Sequence, residues 1–200
     1  LEPLAVAVHG VKQMGDVKGM NIAVLGAGPI GNLVAQAAKG MGAAKVMITD
    51  VSDLRLKKAQ ECGIDVCVNT KNKDFGEVMV EAFGPDKADV IYDCAGNNIT
   101  MGQAIKYARK GSVIVLVAVF AGMAEIDLAV ANDHELDIKS TMMYRHDDYV
   151  DGIKLVNEGK VHLRPLISKT FAFKDYLEAY HYIDDNRETT MKVIINVQEK

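Results

Sequence analysis

Cysteine is scarce in this chain of 200 residues, which has only Cys62, Cys67 and Cys94. None of them forms a C-x-x-C pair, and an odd number of thiols is typical of a reducing compartment rather than of a disulfide framework. The sequence therefore predicts reduced cysteines and no structural zinc site within this chain.

Long apolar runs and an excess of basic residues are also absent. No apolar stretch approaches the roughly 20 residues of a membrane-spanning helix, and the N-terminus lacks the features of a signal peptide. The 23 Lys and Arg residues are scattered and outnumbered by 27 Asp and Glu. These absences argue against membrane and nucleic-acid binding, and they predict a cytoplasmic protein whose partners are small molecules or other proteins.

Short apolar runs without alternation are present instead, at 22–25, 46–48, 66–68, 90–92 and 113–119. Such runs suit strands of a parallel sheet that is covered on both faces, and amphipathic stretches between them supply the crossover helices. We therefore predict one α/β domain over residues 1–200, with a doubly wound parallel sheet at about 21–142. Helices are expected at 2–12, 148–158 and 175–184, and further strands at 170–173 and 193–197.

A glycine-rich motif, VLGAGPIG at 24–31, follows the first predicted strand. Gly26, Gly28 and Gly31 match G-x-G-x-x-G at a strand-to-helix turn, and Pro29 suits the first helical turn. In this motif the first glycine permits a tight turn, the second lets a pyrophosphate approach the backbone, and the third lets the helix pack on the strand. The motif predicts a Rossmann dinucleotide fold.

An acidic residue, Asp50, ends the second predicted strand at the distance that the motif requires. Its carboxylate can accept hydrogen bonds from an adenosine ribose and repels a 2′-phosphate, so the sequence favours NAD over NADP. Arg55 is the one feature that would suit a 2′-phosphate. Two alternatives remain at this point: a methyltransferase that binds S-adenosylmethionine, and a glycine turn that binds no ligand.

The sequence resembles the cofactor domain of zinc-dependent medium-chain alcohol dehydrogenases, and most of all their polyol (sorbitol or L-iditol) dehydrogenase branch. The resemblance runs over nearly all 200 residues. It is carried by EPLAVAVHGV, VLGAGPIG, TDVSDLRLKKAQECG, DCAG, KGSVIVLV, DIK and GKVHLRPLISKTFAF. The catalytic zinc of these enzymes is held mainly by an N-terminal half that this chain lacks, and residues 1–15 and 146–200 are expected to join that half.

The resemblance assigns cofactor contacts to four places and one contact near zinc. They are the pyrophosphate turn (Gly26, Gly28, Pro29, Ile30, Gly31), the adenosine ribose and adenine (Asp50, Arg55), the loop after the fourth strand (Cys94, Ala95, Gly96), the nicotinamide amide (Val117, Ala118, Val119) and the zinc environment (Glu2). Ala118 stands where this branch usually has glycine, and Met143 where it usually has arginine.

Other polar residues have simpler interpretations. His9 lies in an apolar helix and is expected to be packed and hydrogen-bonded rather than a ligand. His146, Asp147 and Asp148 are adjacent and are expected to form a solvated helix start rather than a metal site.

The resemblance implies an NAD-dependent dehydrogenase that oxidises a secondary alcohol, a polyol or a diol, with zinc bound in the absent half. This chain, which begins at Leu1, is then a fragment that binds cofactor without catalysis. A non-catalytic NAD sensor is the alternative. The resemblance also implies self-association as a homodimer or homotetramer through 121–131 and 137–141, where pairing across a two-fold axis would protect an exposed sheet edge.

Overall fold

A six-stranded parallel sheet forms the centre of the molecule. The computed structural model describes residues 1–71 and 73–198, and no helix among them is long and apolar enough to cross a bilayer. The strands are β1 (Asn21–Leu25), β2 (Lys45–Asp50), β3 (Val66–Asn69), β4 (Val90–Asp93), β5 (Val113–Leu116) and β6 (Asp137–Ser140). Their order across the sheet is β3-β2-β1-β4-β5-β6, and every neighbouring pair is parallel.

Helices lie before, between and after the strands of this sheet. They are α1 (Glu2–Lys12), α2 (Pro29–Gly40), α3 (Asp53–Glu61), α4 (Phe75–Phe83), α5 (Asn98–Tyr107), α6 (Leu128–Asp133) and α7 (His146–Asn157). The order of the strands reverses between β1 and β4, which leaves a crevice at their carboxyl ends where ligands of such sheets bind. The predicted doubly wound α/β fold is confirmed.

The inner strands of the sheet, β1, β2, β4 and β5, are buried on both faces, as their unbroken apolar runs predict. In β1, Ile22 and Val24 belong to one hydrophobic cluster, and Ala23 and Leu25 belong to a second cluster on the opposite face. Each of these four side chains is fully buried. Because successive side chains of a strand point to opposite faces, a run without polar positions is stable only where helices cover both sides.

The last part of the chain forms a separate two-stranded parallel sheet, made of β7 (Ile167–Ala172) and β8 (Lys192–Asn196), with α8 (Tyr176–Asp185) between them. These elements lie within one to three residues of the predicted ones. The fifth strand was predicted too long, because residues 117–119 leave the sheet after Leu116. The apolar residues there line a cavity instead of extending the strand.

A buried carboxylate joins α1 to α7. Asp148, with 2% of its surface exposed, accepts hydrogen bonds from His9 Nδ1 at 2.8 Å, Lys12 Nζ at 2.8 Å and the Arg145 backbone N–H at 2.7 Å. Gln13 lies 3.2 Å from the other ring nitrogen of His9, so this histidine is packed and hydrogen-bonded as predicted. The prediction of a solvated helix start was wrong for Asp148, because two of its partners, His9 and Lys12, lie more than 130 residues away in sequence and bury it against α1.

We expect Asp148→Ala to lower the free energy of unfolding by about 2 kcal/mol at pH 7, since charged hydrogen bonds contribute about 1.5–3 kcal/mol. Burial alone would raise the pKa of Asp148, but the hydrogen bonds and charges of its partners outweigh burial and hold that pKa below its ordinary value. The contribution is therefore present at neutral pH and is lost as the pH falls through the lowered pKa.

Urea unfolding at several pH values measures this effect. The control is Asp147→Ala, which removes an acid from the same helical turn, where the side chain is 88% exposed, and should change stability by about 0.5 kcal/mol or less. Equal losses in the two variants would show that the network around Asp148 does not stabilise the fold.

Candidate cofactor site

The glycine motif forms the turn between β1 and α2, and Gly26 is its first bend. Gly26 has φ +95°, a conformation that residues with a side chain rarely adopt. Its N–H donates to the Thr49 carbonyl at 2.8 Å, and an added Cβ would lie 3.2 Å from the backbone nitrogen of Ala95. The bend thus requires glycine because of its positive φ and because the backbone of Ala95 leaves little room for a side chain.

The surroundings of Gly31 and Gly28 differ. A Cβ on Gly31 would lie 1.8 Å from the Gly26 carbonyl oxygen, so close packing of helix on turn requires glycine there. Gly28 has φ −63° and nothing within 4 Å of an added Cβ. No described atom would contact a side chain at position 28, so the space beside this N-cap residue of α2 is open.

The start of α2 suits an anion. Gly28 is the residue before the helix, Pro29 occupies its first turn, and no side chain caps its N–H groups. Uncapped N–H groups and the positive end of the helix dipole attract phosphate.

Asp50 lies at the end of β2 with 6% of its side chain exposed. Its Oδ2 accepts the Ala27 N–H at 2.7 Å and its Oδ1 accepts the Ser52 N–H at 2.9 Å, while Arg55 Nη1 is 3.9 Å from Oδ2. Each carboxylate oxygen has lone pairs for more than one donor, so ribose hydroxyls can still bind. Asp50 therefore fixes the glycine turn as well as presenting a negative charge.

A first cavity of about 880 Å³ runs along the carboxyl ends of the strands. Six residues predicted from the sequence line it: Gly26, Gly28, Asp50, Arg55, Cys94 and Ala95. Sequence reasoning missed nine others: Thr49, Val51, Thr70, Lys71, Asn97, Asn98, Ile99, Thr100 and Gln103. Most of them lie at or just after the end of a strand or at the start of α5, where a parallel sheet places its ligand contacts.

A second cavity, of about 360 Å³, adjoins the first at Cys94 and Ala95, which line both. The other predicted residues in it are Ile30 and 117–119. Val6, Thr141, Met142 and Met143 complete its lining. Met143 has φ +60°, an uncommon conformation for a residue with a long side chain.

Asp93 lies at the end of β4 and was not predicted as a site residue. It nevertheless positions two predicted site residues, Ala95 and Gly96. It is fully buried, and its Oδ1 accepts hydrogen bonds from the N–H groups of Ala95 at 3.0 Å and Gly96 at 3.1 Å. Gly96 has φ +69°, and an added Cβ there would lie 2.7 Å from the Ala118 methyl group. The alanine that replaces the usual glycine at 118 thus packs directly beside Gly96.

The remaining predicted residues lie outside both cavities. Pro29, Gly31 and Gly96 shape the backbone, and Glu2 is exposed at the start of α1. Burial and the charge of Asp93 raise the pKa of the Cys94 thiol, so it stays protonated at neutral pH and is a poor nucleophile. Within residues 1–71 and 73–198, no group of three or more His, Cys, Asp or Glu side chains could hold a metal ion.

Known proteins are similar to this chain in sequence and in fold. Sorbitol dehydrogenase 1 of Saccharomyces cerevisiae is 31% identical over 201 residues, which cover 98% of this chain and 56% of the yeast protein. The crystal structure of L-idonate 5-dehydrogenase from Escherichia coli has a TM-score of 0.89 at 28% identity and is matched over 98% of this chain and 55% of its own. An alcohol dehydrogenase from Escherichia coli CFT073, complexed with NADH, has a TM-score of 0.87 at 27% identity, over 98% of this chain and 58% of its own.

The chain spans little more than half the length of these relatives. The family model described as zinc-binding dehydrogenase matches residues 29–158, from the first residue of α2 through α7. This match covers five of the six strands of the sheet, β2 to β6, and begins after β1 and after Gly26 and Gly28. The chain therefore belongs to the zinc-binding dehydrogenase family.

Proposed function

We propose that the chain binds NAD across the two cavities. The observation that carries this proposal is Gly28, whose missing side chain leaves open space at the uncapped start of α2. A pyrophosphate fits there, with the adenosine ribose on Asp50 and adenine beside Arg55. The nicotinamide end then extends past Cys94 and Ala95 toward 117–119, which line the second cavity.

We further propose that the chain is the cofactor-binding part of a longer, zinc-dependent dehydrogenase that oxidises a secondary alcohol. The alcohol carbon would lose its hydride to the bound NAD and its hydroxyl proton to solvent, giving a ketone and NADH. The described residues offer no metal site, so zinc would be held elsewhere in the longer protein, and Glu2 would lie near it. By itself the chain would bind cofactor without turnover.

Assembly and location complete the proposal. β6 is an edge strand of the sheet, and pairing with β6 of a second copy would satisfy its free backbone groups in a homodimer or homotetramer. Cys62, Cys67 and Cys94 are free thiols, which supports a cytoplasmic protein.

Titration of the chain with NADH, followed by nicotinamide fluorescence, tests the proposed cofactor. We expect Asp50→Ala to weaken NADH binding about 100-fold, because it removes hydrogen bonds to a charged acceptor that contribute about 1.5–3 kcal/mol each. S-adenosylmethionine should bind more weakly than NADH to the unsubstituted chain.

Asp53→Ala serves as the control, since Asp53 is an exposed acid three residues further on that lines neither cavity. It should leave NADH affinity unchanged. Tighter binding of S-adenosylmethionine, or equal NADH affinity in the Asp50→Ala and Asp53→Ala variants, would overturn the proposal.

A further inference from the structure

The second cavity is lined almost wholly by apolar side chains. No charged side chain is among its described lining residues, and the Cys94 thiol and the Thr141 hydroxyl are the only side-chain hydrogen-bonding groups there, apart from the weakly accepting methionine sulfurs. The Thr141 oxygen is buried and makes no hydrogen bond with any described residue. This end of the crevice thus differs sharply from the first cavity, which carries Asp50, Arg55, Lys71 and several amides.

The apolar lining divides into an inner and an outer part. Val117 is 8% exposed and belongs to the hydrophobic core, so it forms the inner part. Val119, Met142 and Met143 are 78%, 67% and 56% exposed and form the outer rim. Three large apolar side chains this exposed, around one opening, mark a surface that a ligand or partner covers.

The proposed direction of the dinucleotide determines which part of it would lie near the rim. With its ribose on Asp50 and its pyrophosphate at Gly28, the nicotinamide ring reaches the inner part of the second cavity. The rim would then border the same cavity as the ring. A substrate that reacts with this ring would therefore lie close to Val119, Met142 and Met143.

We infer, on the basis of the proposed function, that this rim selects a secondary alcohol whose reacting carbon carries an alkyl group on the side that faces the chain. A polyol presents a hydroxyl on each carbon. Against Val119, Met142 and Met143 those hydroxyls would lose water without gaining a strong side-chain hydrogen bond, which is unfavourable, whereas a methyl group gains contact with methionine and valine. The substrate class is therefore an alkyl-flanked alcohol rather than a sugar alcohol.

Two matched substrates test this inference in the dehydrogenase that carries this chain together with its zinc-binding half. meso-2,3-Butanediol and erythritol have the same four-carbon skeleton and differ only in having methyl or hydroxymethyl ends. We expect kcat/KM to be about 100-fold higher for the butanediol, the discrimination that an apolar pocket exerts against an added hydroxyl. NADH binding is measured on the same sample by nicotinamide fluorescence.

Substitution of the rim identifies its part in this preference. Met142→Gln with Met143→Gln keeps the side-chain length but adds amides, and it should reduce the ratio about tenfold. The control is Met123→Gln, because Met123 is 98% exposed and lines neither cavity. It should leave the ratio unchanged.

The outcomes separate the two proposals. If NADH does not bind, the proposed function fails. If NADH binds and erythritol is oxidised as well as the butanediol, this inference alone is overturned. It is also overturned if the double variant unfolds at lower urea with an unchanged ratio, since the methionines then contact another part of the protein instead of substrate.

Discussion

Replacing Gly28 by valine is expected to weaken NADH binding about 100-fold, because overpacking costs about 3 kcal/mol and each 1.4 kcal/mol is tenfold. The substituted side chain would occupy the open space at the start of α2, where no described atom lies within 4 Å of an added Cβ. The free energy of unfolding should fall by about 1 kcal/mol or less, the effect of losing a favourable residue before a helix.

Gly102→Val provides the matched control for this variant. Gly102 lies within α5, has nothing within 4 Å of an added Cβ and lines neither cavity. NADH titration and urea unfolding of both variants then distinguish a loss of cofactor access from a loss of stability. Equal affinities of the two variants for NADH would mean that the pyrophosphate does not lie against Gly28.

In contrast to Gly28→Val, Gly31→Ala is expected to act mainly on stability, by greatly lowering the free energy of unfolding. Its Cβ would lie 1.8 Å from the carbonyl oxygen of Gly26 and 3.2 Å from the Cys94 Cβ, so the turn and helix must move apart. We expect the free energy of unfolding to fall by about 3 kcal/mol or more, at the upper end of overpacking costs.

Urea unfolding compares Gly31→Ala with Gly102→Ala, which adds the same methyl group to an uncrowded helical position. The control should gain about 0.5–1 kcal/mol, because alanine is the better helix former. An unfolding free energy for Gly31→Ala within about 1 kcal/mol of the unsubstituted protein would contradict the packing derived for this turn.

The parts of the fold that the sequence predicts are those that depend on local pattern. Unbroken apolar runs identified the strands, and the spacing of Gly26, Gly28 and Gly31 located the turn, because each depends on residues a few positions apart. The end of β5 was missed since apolar residues that line a cavity have the same composition as those in a strand. Only the neighbouring loops distinguish the two.

The parts that could not be predicted depend on residues distant in sequence. Asp148 was expected in solvent, yet it is buried against His9 and Lys12 of the first helix. In the sequence, Asp93 looks like any residue at the end of a strand. Only the folded loop shows that its carboxylate accepts hydrogen bonds from the N–H groups of Ala95 and Gly96. A carboxylate at a strand end was recognised at Asp50 because a known spacing from the glycines marks it, and no such spacing marks Asp93.

The hydrogen bond from Ala27 to Asp50 makes cofactor redesign a problem of two coupled changes. A substitution intended to admit NADP by removing this carboxylate also leaves the backbone N–H groups of Ala27 and Ser52 without their acceptor. The protein without cofactor would lose stability unless another acceptor received these two hydrogen bonds. For the proposed NAD site, engineered changes of cofactor preference would therefore have to replace this acceptor as well as the charge of Asp50.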